Sequence, residues 1–354
     1  MESATKAFNV AVVGSGPAGL FCVEELLRLP RLTTVTVFER LPLPFGLVRF
    51  GVSPDHPHTR RVSKLFEQVL AKPGVTLRTG VTIGKDITIE QLRRDYDAVV
   101  IATGAEEDRK LTGPGENLPH VIPSTAWAGW INGNPDFAHV QPDLSHPVAV
   151  IIGNGNVALD AVRVLGRPAA DLKSSDISPA ALAALESSSI QDIFVLGRRG
   201  PHETSFGESE IAEVAALFPC RAETAGVPHN DNESYAVLKA MSAPEPRCTF
   251  LFHRTVVRFE SPHRIVIDHN GHEEALEAGL IIKAIGHRAV PLPGLPFDTN
   301  RCVIPTQDHR IVIDGKPAKG LYAAGWVKRG ARGLIGHNRK DAMETVKAIA
   351  ADAC

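Results

Sequence analysis

The chain has 354 residues, enough for two domains with separate cores. Its hydrophobic fraction of 44% and charged fraction of 22% are those of an ordinary globular protein, not of a disordered or fibrous one. The formal net charge of -2 argues against bulk attraction to nucleic acid or to an anionic lipid surface.

The amino terminus, Met1 to Lys6, is short and polar, and an apolar run follows directly. This order leaves no place for a signal peptide, and the longest apolar runs are of strand length, too short to span a bilayer. The five cysteines lie far apart without a C-x-x-C pair, so we expect neither a zinc site nor a redox-active dithiol. We therefore expect a cytoplasmic protein without a metal site.

Strand-like and helix-like segments alternate along the chain, which predicts parallel sheets with helical crossovers. In chain order the predicted elements are strand Phe8–Val13, helix Pro17–Leu29, strands Thr34–Phe38, Ala98–Ile101 and Pro147–Ile152, helix Asn156–Leu165, strands Asp192–Leu196, Leu280–Ile285 and Gly320–Ala324, and helix Asn338–Ala350. A strand, a glycine turn and a helix occur in succession twice, so the sequence predicts two nucleotide-binding units.

The first glycine turn reads G-x-G-x-x-G at Gly14, Gly16 and Gly19. Such a turn allows close approach of the backbone to a pyrophosphate, and the helix that follows directs its positive end at the phosphate charge. Glu39 ends the next strand about 20 residues later, where an acidic side chain accepts hydrogen bonds from an adenosine ribose. The alternative is a plain glycine-rich turn with Glu39 as a surface charge.

The second turn repeats this pattern at Gly153, Gly155 and Ala158, and the next strand ends in Arg198 and Arg199. Two guanidiniums at this position suit a 2′-phosphate, which a carboxylate would repel. NADP(H) is therefore favoured over NAD(H), although a solvated arginine pair on a turn is the alternative.

Two further strands, one ending in Thr103-Gly104 and one in Gly286, indicate crossings between the units. We therefore expect an α/β protein with two Rossmann-like dinucleotide-binding domains, the NADP domain inserted into the FAD domain. The predicted boundaries are residues 1–104 and 291–354 for FAD binding and residues 105–290 for NADP binding.

Several blocks in this order resemble the adrenodoxin-reductase-like ferredoxin–NADP⁺ reductases. The blocks are Pro44–Arg49, Gly51–Pro57, Gly153–Asp160, Gly197–Pro201, Pro293–Phe297, Gly325–Gly330 and Gly333–Gly336. The resemblance covers nearly the whole chain and implies an NADPH-dependent FAD enzyme.

The resemblance also implies roles for individual residues. The implied FAD contacts are Gly14, Gly16, Pro17, Ala18, Gly19, Glu39, Arg40, Leu47, Thr103, Gly104, Gly325, Trp326, Gly333, Leu334 and Ile335. The implied NADP contacts are Gly153, Asn154, Gly155, Asn156, Val157, Arg198, Arg199, Glu210 and Gly333. His56 and Asp160 match a pair that is suggested to move protons near the flavin, whereas a turn residue and a helix residue are the structural alternatives.

The chain departs from the family in several respects. It ends soon after the last helix, as a shortened member would, and the stretch Phe218–Arg254 is also short. In that stretch a basic cluster used against acidic ferredoxins is reduced to Lys239, Arg247 and Arg254. After Pro305, a familiar Asn and Gly-Arg are replaced by Thr306 and His309-Arg310.

We expect electrons to pass from NADPH through FAD to an acidic ferredoxin or flavodoxin. Two basic groups would guide it: Arg49, Arg60, Arg61 and Lys64, and Lys328, Arg329, Arg332, Arg339 and Lys340. Two other functions remain open, namely a flavin oxidoreductase acting directly on a small biosynthetic substrate, and a non-catalytic nucleotide-binding redox sensor.

Overall fold

The computed structural model describes residues 7–31, 33–224 and 233–353. The polar terminus Met1–Lys6 and the last cysteine, Cys354, lie outside the described residues, as does part of the shortened stretch between Phe218 and Arg254.

Tertiary contacts divide the chain into two compact units. Unit 1 contains the described residues of Met1–Val52, His56–Glu107 and His287–Cys354, and unit 2 contains Ser53–Asp55 together with the described residues of Asp108–Gly286. The division falls three residues after the predicted boundary at 104 and four before that at 290. The sequence also did not predict that Ser53–Asp55 belongs to unit 2. It does so because the Asp55 carboxylate bonds the Arg163 guanidinium at 3.0 Å.

Short strands and helices alternate through both units. Up to the first crossing the elements are β1 (Phe8–Val13), α1 (Pro17–Leu26), β2 (Thr33–Phe38), α2 (Leu47–Phe50), α3 (Pro57–Arg60), α4 (Val62–Leu70), β3 (Val75–Arg78), α5 (Ile89–Asp95), β4 (Ala98–Ile101) and β5 (Glu107–Asp108). Those of the inserted segment are β6 (Val121–Pro123), α6 (Ser124–Ile131), β7 (Val148–Ile152), α7 (Asn156–Gly166), α8 (Pro179–Glu186), β8 (Asp192–Gly197), α9 (Glu208–Leu217), β9 (Cys220–Ala222), α10 (Glu233–Ala240), β10 (Cys248–Phe252), β11 (Thr255–Glu260), β12 (Arg264–His269), β13 (His272–Glu277) and β14 (Leu280–Lys283). The chain then forms β15 (His287–Arg288), β16 (Thr306–Gln307), β17 (Arg310–Ile313), β18 (Lys316–Ala323), α11 (Trp326–Arg329) and α12 (Ile335–Asp352).

Unit 1 is built on a seven-stranded sheet in the order β16-β17-β18-β4-β1-β2-β3. The five strands from β18 to β3 are parallel, and β16 and β17 are antiparallel. Alternate residues of β1 enter cores on opposite faces, with Val10 and Val12 in one and Ala11 and Val13 in the other. Helices α1, α4 and α12 cover the first face. The sheet is thus buried on both sides, as parallel sheets generally are.

Unit 2 is built on a six-stranded parallel sheet in the order β6-β14-β7-β8-β10-β9. Alternate residues of its central strand β7 enter different cores, as they do in β1. Ala149 and Ile151 enter one core, and Val150 and Ile152 enter the other. The second core also packs against the antiparallel sheet β11-β12-β13. Two Rossmann-like units are therefore confirmed.

Several predicted element ends were wrong by a few residues. Helix α1 ends at Leu26, not Leu29, and β14 ends at Lys283, not Ile285. Strand β18 begins at Lys316 because the turn before it, where Asp314 and Gly315 have φ of 50° and 76°, returns the chain as a hairpin. The antiparallel sheet β11-β12-β13 was not predicted at all.

In the part of the chain that the structure describes, no helix is long and apolar enough to cross a membrane.

Candidate dinucleotide sites

The glycines of the first turn serve different purposes. Gly14 has φ of 104°, and a Cβ on it would lie 2.4 Å from the Ala102 carbonyl oxygen. A Cβ on Gly19 would lie 2.0 Å from the Gly14 carbonyl oxygen. By contrast, the nearest atom to a Cβ on Gly16 is the Gly46 Cα at 4.0 Å. The protein's own packing requires two of these glycines, whereas the open space at Gly16 fits a bound pyrophosphate.

Glu39 lies at the edge of this turn and is almost fully buried. One of its carboxylate oxygens accepts the Ser15 backbone N–H at 3.1 Å and also the Ser15 hydroxyl. The other accepts the Leu41 N–H at 2.9 Å. Its neighbour Arg40 pairs with Glu106 at 3.5 Å. The sequence identified Glu39 as a site residue but not Ser15, because the G-x-G-x-x-G pattern allows any residue at that position.

The segment before α2 passes against the same turn. Phe45 and Gly46 have φ of 91° and 50°, and a Cβ on Gly46 would lie 3.1 Å from the Gly16 Cα. Leu47 follows and remains exposed. Residues 45–47 thus form a second wall beside the open space at Gly16.

A third segment of unit 1 is the turn after β18. Gly325 has φ of 79°, and a Cβ on it would lie 2.5 Å from the Ala18 Cβ, so this turn packs on the start of α1. The Trp326 indole N–H donates to the Gly333 carbonyl oxygen at 3.3 Å. The Trp326 ring also stacks on His287, with 5.9 Å between the ring centroids. Two contacts therefore fix the orientation of Trp326.

These segments converge because the strands that precede them are parallel. Gly14 and Glu39 directly follow parallel strands of unit 1, and Thr103, Gly104 and Gly325 lie within three residues of the ends of two others. The carboxyl ends of parallel strands form one edge of a sheet, the edge at which such folds bind nucleotides. Leu334, before α12, has 65% of its surface exposed.

The second glycine turn, in unit 2, repeats the geometry of the first. Gly153 has φ of 124°, and a Cβ on it would lie 2.1 Å from the Ala284 carbonyl oxygen. A Cβ on Gly155 would meet no atom of the described residues within 4 Å. Ala158, at the third position, is fully buried. The middle glycine again borders open space, so this turn also fits a pyrophosphate.

Three buried polar atoms around the second turn have no hydrogen-bond partner among the residues that the structure describes: Asn154 Oδ1, Asn156 Oδ1 and Thr204 Oγ1. The Ser205 N–H donates to the Asn154 carbonyl oxygen at 2.8 Å, which holds the Thr204 loop against the turn. A buried polar atom without a partner is costly, so these atoms indicate a polar ligand. Sequence reasoning missed Thr204, although it lies between the two motif positions Arg199 and Glu210.

Arg198 and Arg199 follow β8 and are both exposed. The Arg199 guanidinium lies 3.7 Å from Glu203, and this solvent-exposed pair contributes little. A phosphate can therefore replace Glu203 as the partner of Arg199. Glu210 lies in the first turn of α9, where its carboxylate accepts the Ser209 hydroxyl at 2.8 Å.

The suggested proton-transfer residues lie in different units. His56 precedes α3 in unit 1, and Asp160 lies on α7 in unit 2. Asp160 accepts a hydrogen bond of 2.5 Å from Arg163, which has no exposed surface and also bonds Asp55. Burial opposes the charge on Arg163, but the two carboxylates outweigh it and raise its pKa. Asp160 therefore shares the Arg163 guanidinium with Asp55. Proton transfer by Asp160 and His56 remains a prediction.

The structure adds detail to two observations from the sequence. Cys220 and Cys248, which are far apart along the chain, lie opposite each other on β9 and β10. Burial raises the pKa of Cys248, whereas a hydrogen bond from Cys248 lowers the pKa of Cys220. Two of the three residues of the reduced basic cluster are engaged within the chain, because Arg247 bonds the Gly166 carbonyl oxygen at 2.7 Å and Arg254 is buried against Glu223. Over residues 7–31, 33–224 and 233–353, no group of three or more His, Cys, Asp or Glu is placed to hold a metal ion.

Comparison with known proteins identifies the class to which this architecture belongs. The family model of the pyridine nucleotide-disulphide oxidoreductases matches residues 8–325. The chain belongs to this family, whose fold binds FAD and NAD(P).

The relatives narrow the class further. NADPH-ferredoxin reductase FprA of Mycobacterium tuberculosis is 37% identical over 97% of this chain and 84% of its own length. The mitochondrial NADPH:adrenodoxin oxidoreductase of Arabidopsis thaliana is 33% identical over 99% of this chain and 83% of its own length. The structure of Mycobacterium tuberculosis FprA in complex with NADPH superposes with a TM-score of 0.91 at 35% identity, covering 98% of this chain and 85% of that one. The resemblance to adrenodoxin-reductase-like ferredoxin–NADP⁺ reductases is confirmed. Other relatives, 38% identical, are longer, and the chain spans 64% of their length.

Proposed function

We propose that this protein is an NADPH-dependent FAD reductase that passes electrons from NADPH through FAD to a ferredoxin-like or flavodoxin partner. The observation that carries this proposal is the opposite charge of its two glycine turns. The first has the carboxylate of Glu39, which suits the ribose hydroxyls of FAD, and the second has Arg198 and Arg199, which suit the 2′-phosphate of NADPH. Unit 1 is therefore assigned to FAD and unit 2 to NADP.

The open space at Gly16 and Gly155 supports placing a pyrophosphate at each turn. In the FAD site we include all the FAD contacts that the sequence predicted, the first of which is Gly14 and the last Ile335. Ser15 is added because it bonds Glu39. In the NADP site we include the predicted contacts of unit 2, from Gly153 to Glu210, with Thr204 added because its buried hydroxyl has no partner within the described chain.

Bound FAD would supply the redox chemistry, since it accepts a hydride from NADPH and gives electrons to a partner. The chain's own residues orient the bound groups and stabilise negative charge near them. The backbone from Gly333 to Ile335 leads into α12, an 18-residue helix whose amino end favours negative charge nearby. Trp326, fixed by Gly333 and His287, provides a rigid wall. His56 and Asp160 are proposed to move protons as the charge of the site changes.

The proposed partner is an acidic protein, and unit 1 offers a revised basic surface for it. Lys328 and Arg329 do not contribute, because Asp341 pairs with both, at 2.5 and 3.2 Å. Arg339 pairs with Glu24 at 3.2 Å. The exposed cations left in the two predicted groups are Arg61, Lys64, Arg332 and Lys340. Helices α4 and α12 both pack against α1, which supports a common face for these cations.

We also propose that the protein is cytoplasmic, and fractionation of cells that produce the protein tests this location.

The experiment for the function is an anaerobic titration with NADPH followed by a screen of acceptors. We expect NADPH to bleach the flavin and acidic ferredoxins or flavodoxins to restore its colour. If NADPH bleaches the flavin but all protein acceptors fail, a small-molecule substrate replaces the proposed partner. If NADPH binds without bleaching, the sensor function replaces the enzyme.

A further inference from the structure

A continuous series of polar contacts in unit 1 connects the hairpin β16–β17 to the turn after β18. Glu344 lies 3.8 Å from Nε2 of His309, and Nδ1 of His309 lies 2.6 Å from Nζ of Lys328. Lys328 pairs with Asp341 at 2.5 Å, and Asp341 in turn accepts the Gly325 backbone N–H at 2.5 Å. The series therefore ends at the first residue of the turn that carries Trp326.

Asp341 holds this turn through several bonds. Its side chain is 5% exposed, accepts a hydrogen bond from the Gly325 backbone N–H and forms ion pairs with two cations, Lys328 and Arg329. Gly325 cannot relax outward freely, because its φ of 79° and its contact with Ala18 restrict it. Loss of Lys328 from Asp341 would leave a buried carboxylate with less compensation, which is costly. The contact that holds Lys328 in place thus affects the turn.

His309 makes that contact as an acceptor. Lys328 Nζ is an ammonium donor, so Nδ1 of His309 must carry a lone pair and the ring proton must be on Nε2, the atom that faces Glu344. The Thr345 hydroxyl lies 3.0 Å from Nδ1 but donates its proton to the Asp341 carbonyl oxygen at 2.8 Å, so it does not compete with Lys328 for the Nδ1 lone pair. Accepting a hydrogen bond from Lys328 therefore needs a neutral imidazole.

The backbone conformation at His309 is unfavourable for histidine, which indicates that its side chain has a role at this position. Asp308 and His309 are the two loop residues of the hairpin β16–β17, with φ of 48° and 68°. Hairpin loops of two residues with both φ positive favour Asn-Gly, because a larger side chain in the left-handed region costs about 1 kcal/mol or more. Histidine at the glycine position therefore accepts a cost that glycine avoids, and its ring reaches Lys328.

We propose that His309 is a positioning residue of the FAD site, which holds Lys328 on Asp341 while its ring is neutral and releases Lys328 when its ring is protonated. The inference rests on the proposed FAD site in unit 1 and adds proton control to it. The turn that carries Trp326 is then firm at neutral pH and loosened in acid.

The charges around His309 set the direction of this control. Lys328 of α11, Asp341, Glu344 and the neutral Thr345 of α12, and Asp308 of its own hairpin face the ring. Burial and then Lys328 lower the pKa of His309 below its usual 6.5, against the three carboxylates. The unfolded chain therefore binds this proton more readily than the folded one. Stability of the site is full above about pH 6.5 and falls as pH decreases toward the lowered pKa.

Two substitutions separate the acceptor from the strain. His309→Asn keeps an oxygen acceptor for Lys328, tolerates a positive φ and cannot be protonated. His309→Gly removes the strain and the acceptor together. His272→Asn, at an exposed position of β13 in unit 2, serves as the matched control.

The test measures the rate of FAD release from the holoprotein by the rise in FAD fluorescence, between about pH 7.5 and about pH 5.5, the range over which histidine titrates. We expect release from the natural protein and from His272→Asn to accelerate about tenfold in acid, which corresponds to about 1.4 kcal/mol. His309→Asn should release FAD slowly at both pH values, and His309→Gly should release it rapidly at both.

The proposal is overturned if His309→Asn keeps the full acid acceleration, or if His309→Gly retains FAD as firmly as the natural protein. It is also overturned if circular dichroism shows that the natural protein unfolds globally over the same pH range. Purified protein that never holds FAD would instead overturn the FAD site itself, and with it this inference.

Discussion

Within the two glycine turns, the middle glycines border open space that the described chain does not fill, Gly16 in unit 1 and Gly155 in unit 2. The other glycines of the two turns, Gly14, Gly19 and Gly153, are required by close contacts with the backbone. The sequence could predict all of these positions from their spacing. It could not predict the roles of Ser15 and His309, because their partners Glu39 and Lys328 belong to other segments of the chain. Nor could it predict Thr204, because the contact that holds its loop joins Ser205 to Asn154 of another segment.

We expect Gly16→Val to abolish retention of FAD, because the added side chain occupies the space that the pyrophosphate needs. Gly155→Val is the matched control, since it makes the same change in the other unit. It should leave the protein yellow and remove NADPH binding instead. Absorbance of the purified variants and calorimetry with NADP⁺ measure the two effects, and loss of both ligands in both variants would contradict the assignment of one site to each unit.

Replacing Arg198 and Arg199 together by Ala should raise the KM for NADPH tenfold or more. Each charge-assisted bond to a phosphate contributes roughly 1.5–3 kcal/mol before solvent exposure reduces it, and ~1.4 kcal/mol corresponds to tenfold. The KM for NADH should hardly change, because NADH carries no 2′-phosphate. Arg264→Ala, an exposed arginine of β12, is the control. Equal damage to both coenzymes would assign the pair to folding.

Among the elements, the parallel strands were the easiest to predict, because a buried strand between glycine turns is a strong local signal. The antiparallel sheet β11-β12-β13 escaped because its outer strand is mostly polar, with Glu273, Glu274 and Glu277 exposed. Its strands are held by pairing with one another, and the hydrophobic pattern within one segment does not reveal such pairing. The membership of Ser53–Asp55 in unit 2 depends on a salt bridge to α7 and has no local signal either.

That salt bridge predicts a large effect of Asp55→Asn. Asp55 and Arg163 have side-chain exposures of 2% and 0%, and breaking such a buried pair typically costs about 3–5 kcal/mol. The denaturant midpoint of unit 2 should fall accordingly, as followed by circular dichroism. Asp95→Asn, in an exposed pair with Arg94, should leave the midpoint nearly unchanged. Equal midpoints for the two variants would show that the Asp55 pair does not hold the segment.

The same pair gives a pH dependence with a definite sign. Burial opposes ionisation of Asp55, but the hydrogen bond and charge of Arg163, together with Ser53 and Arg167, outweigh it and lower the pKa of Asp55 below its usual 3.8. The contribution is therefore complete above about pH 4 and is lost as pH falls through the lowered pKa. Asp55→Asn should remove this part of the acid sensitivity.

For the whole molecule, a near-neutral net charge of -2 conceals local basic regions. If Arg61, Lys64, Arg332 and Lys340 receive an acidic ferredoxin, NADPH-driven reduction of that ferredoxin should slow steeply as salt rises, because exposed charges are screened over ~8 Å at physiological salt. Ferricyanide, a small acceptor, should depend far less on salt. Replacing Lys64 and Lys340 by Gln should flatten the salt dependence with ferredoxin, whereas an unchanged slope would place the partner on another surface.

Electron transfer from NADPH through FAD to a protein partner can be followed in one anaerobic spectrum of the purified protein, as NADPH and then an oxidised acidic ferredoxin are added. We expect NADPH to bleach the bound FAD in proportion to the amount added, and an equal amount of NADH to do so far more slowly. Ferredoxin should then restore the flavin absorbance while becoming reduced. A flavin that NADPH cannot bleach, or a bleached flavin that no ferredoxin or flavodoxin reoxidises, would contradict the proposed function.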